Sequence, residues 1–99
     1  MRLDVKTQSV IRNTTREVFG DQATVRVFGS RTDARARGGD IDLLVTTPQQ
    51  VPDARRKTLT LIARLQRRLG DQPIDVLYLD PQSPPTAVQQ EALRHGIAL

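Results

Sequence analysis

Three stretches with strand character alternate with helix-periodic segments, and the interval between the first two strands is too short for a helical crossover. Together these predict an α/β protein with a small mixed sheet of three to four strands packed with helices. Parallel neighbours need a connection of roughly a dozen residues or more, whereas only residues 29–39 separate the first strand from the second. Those two strands are therefore expected to run antiparallel within a sheet that alternation alone would make parallel.

The elements follow in order. Leu3, Thr7, Val10, Ile11, Thr14 and Val18 recur at helical spacing and put one apolar stripe on a first helix, closed by Gly20 and Asp21. Thr24-Val25-Arg26-Val27-Phe28 reads as a β-branched strand running into Gly29-Ser30. Residues 31–39 carry no large apolar side chain and end in a glycine pair, which makes them a surface connection whose backbone is free to serve a ligand. In Asp40–Val45, Ile41, Leu43 and Val45 share one strand face while Asp40, Asp42 and Leu44 share the other. Pro48 and Pro52 bracket a turn, and a helix from about Asp53 to Leu69 carries Thr58, Leu61, Ile62, Leu65 and Leu69 on one stripe, with Arg56, Lys57, Arg64, Arg67 and Arg68 opposite. Gly70 stops it, and Pro73–Leu79 forms a third strand with Asp75 near its start. Ser83 or Thr86 caps a last helix, with Pro84 and Pro85 in its first turn and Gly96 ending it before Ile97-Ala98-Leu99.

Composition narrows the function. Ninety-nine residues suit one domain, 37% hydrophobic and 26% charged residues suit a folded core, and the net charge of +4 divides as +2 over residues 1–50 and +2 over residues 51–99. Thirteen of the fifteen basic residues are arginine, a bias that composition explains before phosphate binding does. The absence of cysteine excludes disulfides, thiolate metal sites and a cysteine nucleophile. Three aromatics (Phe19, Phe28, Tyr78) cannot build a base-stacking platform, so direct nucleic-acid binding is disfavoured. No apolar run approaches the ~20 residues of a membrane span, and a cytoplasmic location is expected.

The chemistry concentrates in Gly29-Ser30, nine residues, then Asp40-Ile41-Asp42, followed by a strand with Asp75. A glycine at a strand end lets backbone approach a phosphate, and Ser30 adds a hydroxyl and an amide. Asp40 and Asp42 on one face repel each other unless a cation shares them, and magnesium suits an oxygen-only set that Asp75 would complete. Singly, each part is ordinary turn or surface chemistry. The joint pattern is expected by chance on the order of once in a thousand chains of this length.

The stretch VRVFGSRTDARARGGDIDLLV resembles the signature of the polymerase-β-like nucleotidyltransferase superfamily, in its minimal nucleotidyltransferase branch. QPIDVLYLD is similar to the family's third acidic strand, and EALRHGIAL to its closing helix, glycine and short strand. The resemblance implies a nucleotidyltransferase fold as a single domain over residues 1–99 and transfer of AMP from ATP to a hydroxyl. It implies catalytic and metal-holding roles for Asp40, Asp42 and Asp75, two Mg2+ ions, and phosphate contacts from Gly29, Ser30 and Arg31. Gly39 departs from the family's usual serine before the first aspartate, which touches only a local hydrogen bond. Arg35 and Arg37 are near enough to neutralise a triphosphate, although a solvated loop accounts for them as well.

The remaining singular residues have plainer readings. The basic face of the second helix reads as a solvated face, His95 as a cation meeting the helix dipole before Gly96, and Tyr78 as packed against a helix. A chain ending at residue 99 is expected to recruit its acceptor. Stand-alone domains similar to this one commonly pair with a HEPN-type ribonuclease toxin as its antitoxin, some adenylylating a tyrosine of that partner, which implies a hetero-oligomer. Two other readings stand beside it: an antitoxin acting by contact alone, and a nucleotidyltransferase serving a small molecule with a partner subunit.

Overall fold

The structure is a computed structural model describing residues 3–29 and 40–99. In chain order it comprises α1 (Val5–Phe19), β1 (Thr24–Phe28), β2 (Ile41–Thr46), α2 (Ala54–Leu69), β3 (Ile74–Leu79), α3 (Ala87–His95) and β4 (Ile97–Ala98). The strands form one mixed sheet in the order β3-β2-β1-β4. The short β1–β2 interval has the expected consequence, antiparallel pairing, while α2 carries the chain between the parallel neighbours β2 and β3. Gly96 ends α3, and the chain turns directly into β4, which pairs antiparallel with β1.

Strand alternation divides the core. Val25, Val27, Ile41, Leu43, Val45, Ile74 and Val76 form one sheet face, covered by Ile11 and Phe19 of α1 and Leu61 and Leu65 of α2. Each large side chain so buried contributes about 1.5–3 kcal/mol against exposure. The other face carries Asp42 but is not simply solvated. Leu44 is fully buried there, and α3, with buried Ala92, packs across β1 and β2. Helices therefore flank the sheet on both sides, and among the described residues no helix covers the carboxylate end of the second face.

Local chemistry sets the boundaries. Asp4 caps α1 by accepting from the Thr7 backbone N–H at 2.7 Å, and Thr15, buried on a helix whose apolar stripe omitted it, donates to the Ile11 carbonyl at 2.7 Å. Helix α2 starts at Ala54, because Asp53 takes a left-handed conformation (φ 57°) and makes no side-chain cap. At α3, Thr86 is the cap, in a reciprocal box with Gln89. Pro84 and Pro85 consequently lie before the helix rather than in its first turn, and Ser83 belongs to the preceding turn, where its backbone N–H donates to the Asp80 carbonyl.

The basic face of α2 also needs correction. Arg68 makes a two-pronged contact with Glu17 of α1 (2.7 and 2.8 Å) and donates to the buried Thr14 hydroxyl at 2.8 Å, while Arg64 reaches Glu17 at 3.4 Å. These arginines clamp two helices. Tyr78 stacks on Phe19 (ring centroids 5.5 Å apart), and its hydroxyl pairs with Thr47 and accepts from the Val51 N–H, which ties the β2–α2 connection to the core.

Candidate active site

Asp42 and Asp75 become neighbours through register. Asp42 lies opposite Phe28 across the antiparallel pair and opposite Asp75 across the parallel one, so Phe28, Asp42 and Asp75 form a single row across the sheet. Asp40 stands just before β2, in phase with Asp42. Carboxylate oxygens of all three come within 4.8 Å of one another, with Asp42 half-buried and Asp40 and Asp75 exposed. Among the described residues no cation is close enough to pair with Asp42. Burial, and then the charges of Asp75 and Asp40, push its carboxyl above the usual aspartate range.

Three oxygen donors converging on a point where charge is disfavoured fit a hard divalent cation such as magnesium. The fit rests on the donor set itself, because no side chain among the described residues neutralises it.

Gly29 has a role that strand-end reasoning did not foresee. Its φ of 78° lies in the left-handed region, and a Cβ at this position would collide with the Asp42 carboxylate. The left-handed φ favours glycine here whatever the space, and a side chain would in addition displace the Asp42 carboxylate, so the glycine serves the site independently of any phosphate. Ser30, Arg31, Arg35, Arg37 and Gly39 lie outside the described residues.

Beside Asp42 and Asp75 opens a recess of about 450 Å³ whose walls are mostly apolar, including Phe28, Leu59, Ile62, Leu77 and Val88. Sequence reasoning missed this wall. Leu77 is in phase with Asp75 on β3 and Leu59 lies off the apolar stripe of α2, both legible in the sequence, whereas Phe28 joins them only through its register opposite Asp42. Another recess, of about 370 Å³, lies between the end of α1 and the β2–α2 connection and holds none of the three clustered carboxylates. His95 is exposed near Glu91 (3.5 Å) at the end of α3, well along the chain from the carboxylate row. No described helix is long and apolar enough to cross a membrane.

Residues 11–99 match the profile of the family described as "Polymerase beta, Nucleotidyltransferase". Among solved structures, the chain is similar to one in the toxin–antitoxin complex MntA–HpeT carrying two aspartate-to-glutamate substitutions, with a TM-score of 0.70, 20% identity, and coverage of 92% of this chain and 70% of that one. It is similar to a chain in the complex of tri-AMPylated Shewanella oneidensis HEPN toxin with MNT antitoxin (TM-score 0.58, 21% identity, 92% and 70% covered). It also resembles a chain of a toxin–antitoxin crystallised with AMP-PNP (TM-score 0.61, 22% identity, 88% and 70% covered). At these identities the likeness speaks for the fold. No curated protein matches in sequence.

Proposed function

This chain belongs to the polymerase beta nucleotidyltransferase family, and from that premise we propose that it transfers AMP from ATP to a hydroxyl of a protein acceptor, a HEPN-type ribonuclease toxin, as its antitoxin. The observation that carries the reading is the convergence of Asp40, Asp42 and Asp75 within 4.8 Å beside an open recess. The likeness to an MNT antitoxin found with an AMPylated HEPN toxin supports the choice of acceptor, and the likeness to a toxin–antitoxin crystallised with AMP-PNP supports ATP as donor.

In the proposed reaction the acceptor oxygen attacks the α-phosphorus. A bond forms between them, the bond from that phosphorus to the oxygen bridging to the β-phosphorus breaks, and pyrophosphate departs with the electron pair. Asp40 and Asp42 would hold magnesium against the triphosphate, with Asp75 completing the set for a second ion. Magnesium, when bound, would offset charge on the triphosphate and favour ionisation of the acceptor hydroxyl. Asp75 lies on β3, the outermost strand of the row, and is assigned the proton that the acceptor hydroxyl gives up. Gly29 leaves the Asp42 carboxylate room to keep its position, and Ser30 and Arg31 contribute contacts to the terminal phosphates.

Incubation with the partner ribonuclease, ATP and magnesium tests the reading by intact mass. Whole AMP increments on excess partner are expected from a small amount of this protein. Neutralisation without any increment, retained by Asp40→Asn, Asp42→Asn, would assign the chain to contact-only inhibition instead.

A further inference from the structure

We infer that the open edge of β3 docks the acceptor as an added strand: an extended segment of the partner polypeptide pairs with β3 and sets its hydroxyl-bearing residue in the Phe28–Asp42–Asp75 row. This rests on the proposed transfer to a protein and says how that protein is held.

The edge is defined by hydrogen bonding. The Ile41 N–H donates to the Pro73 carbonyl at 3.0 Å. By the parallel pattern, Asp75, Leu77 and Leu79 turn their backbone groups toward β2, and Ile74, Val76 and Tyr78 turn theirs outward. Among the described residues no strand lies beyond β3. One outward carbonyl is occupied: that of Tyr78 accepts from the Gln89 side chain at 3.3 Å, the same side chain that completes the α3 capping box. The far end of the edge is thus closed by α3. The end open to pairing among the described residues is Ile74–Val76, around Asp75.

Apolar side chains flank that open end on both sides. Leu59 of α2 is 62% exposed and Val88 of α3 is 56% exposed, and although their helices pack on opposite faces of the sheet, both line the recess that also meets Val76 and Leu77. An added strand would present alternate side chains to the two sides, one set toward Leu59 and Ile62, the other toward Val88 and Leu77. The residue opposite Asp75 points to the face of Asp42 and Asp75, one strand spacing of about 4.8 Å further along the row. A hydroxyl there would stand at the carboxylates.

Charge selects the occupant. Pairing of β3 with a second copy would bring the Asp75 carboxylates of two chains toward each other, like against like. A neutral hydroxyl residue meets no such repulsion, and strand-spaced donors and acceptors match a polypeptide better than a nucleobase.

The test uses the isotopically labelled protein with the partner ribonuclease, ATP and magnesium. Amide exchange at Ile74 and Val76 is expected to slow at least about tenfold in the complex. The double variant Leu59→Lys, Val88→Lys is expected to lower AMP transfer at least about tenfold while magnesium-ATP affinity and Tm stay as in the wild type. Transfer with those amides unprotected overturns the inference and leaves the proposed function standing. A loss of ATP affinity in the double variant assigns the recess to the nucleobase and overturns it as well, as does concentration-dependent protection of the two amides in the free protein. Absence of transfer by the wild type overturns the proposed function, and the docking mode with it.

Discussion

The carboxylate row at the end of β2 and β3 and the Glu17–Arg68 clamp between α1 and α2 are both charged clusters built from distant parts of the chain, yet their balance is opposite. In the clamp, the Arg68 hydrogen bonds, followed by the Arg68 and Arg64 charges, hold the Glu17 carboxyl below its ordinary range. In the row, burial and two like charges raise Asp42. The clamp is complete within the protein and joins two helices. Among the described residues nothing balances the row, so the charge on Asp42 is disfavoured there, an arrangement of the kind found where a site is prepared for a ligand.

Substitution at Asp42 separates the two logics most strongly. Asp42→Asn is expected to lower transfer at least about a thousandfold and, at the same time, to raise the Tm of the metal-free protein by a few degrees. A raised carboxyl costs stability when ionised, so the gain should be full at neutral pH and vanish as pH falls below the ordinary aspartate range. A variant that loses activity and Tm together would mean that Asp42 is a structural residue.

Gly29→Ala comes next. The left-handed φ and the collision with Asp42 should destabilise the protein by about 1–3 kcal/mol, and displacement of the carboxylate should weaken magnesium-dependent ATP binding. Chemical denaturation and calorimetry read the two effects. If Gly29→Ala binds ATP as the wild type does, the close approach of Gly29 to Asp42 has no part in the site.

Magnesium removal probes the incomplete balance directly. ATP titrated in magnesium should bind at least about tenfold more tightly than in chelator, since three carboxylates facing a triphosphate otherwise repel it. Equal affinity under both conditions would remove the metal from the reading.

The smallest effect belongs to the clamp. Glu17→Gln should lower Tm slightly at neutral pH and leave transfer unchanged, because this exposed pair is screened by water. The sign in pH is opposite to that of Asp42: a lowered carboxyl stabilises above its ordinary range, and that contribution is lost as pH falls through the lowered value. Urea midpoints of wild type and variant should therefore converge in acid, and a difference that widens there would contradict the clamp.

Much of this was legible before folding. Gly29, Asp40 and Asp42 stand out because period-two alternation places both aspartates on one strand face whatever surrounds them, and the length of residues 29–39 was enough to predict an antiparallel pair. The illegible parts share a cause. Leu44 shares a strand face with Asp40 and Asp42, and alternation does not say that α3 buries it there. Arg64 and Arg68 looked like a wet helix face because Glu17 is about fifty residues away in sequence. Pro84 and Pro85 fall in the first turn of α3 only if Ser83 caps it; the Thr86–Gln89 box, a spacing present in the sequence and fastened to β3 by Gln89, places the cap at Thr86.

Sequence alone determined what is periodic or covalently close: the faces of the strands, the stripes of the helices, the Asp40–Asp42 pair and the antiparallel turn-back of β2 on β1. Tertiary structure decided which of those faces meet. Asp75 joins Asp42 only because α2, docked through Leu61 and Leu65, sets β3 against β2 in the register that aligns them. Leu59 and Val88 meet at one strand edge only because their helices pack on opposite faces of the same sheet. Local propensity acts within a few residues, whereas register and helix placement follow from burying the common core, and no local pattern encodes the residue that will lie across the sheet.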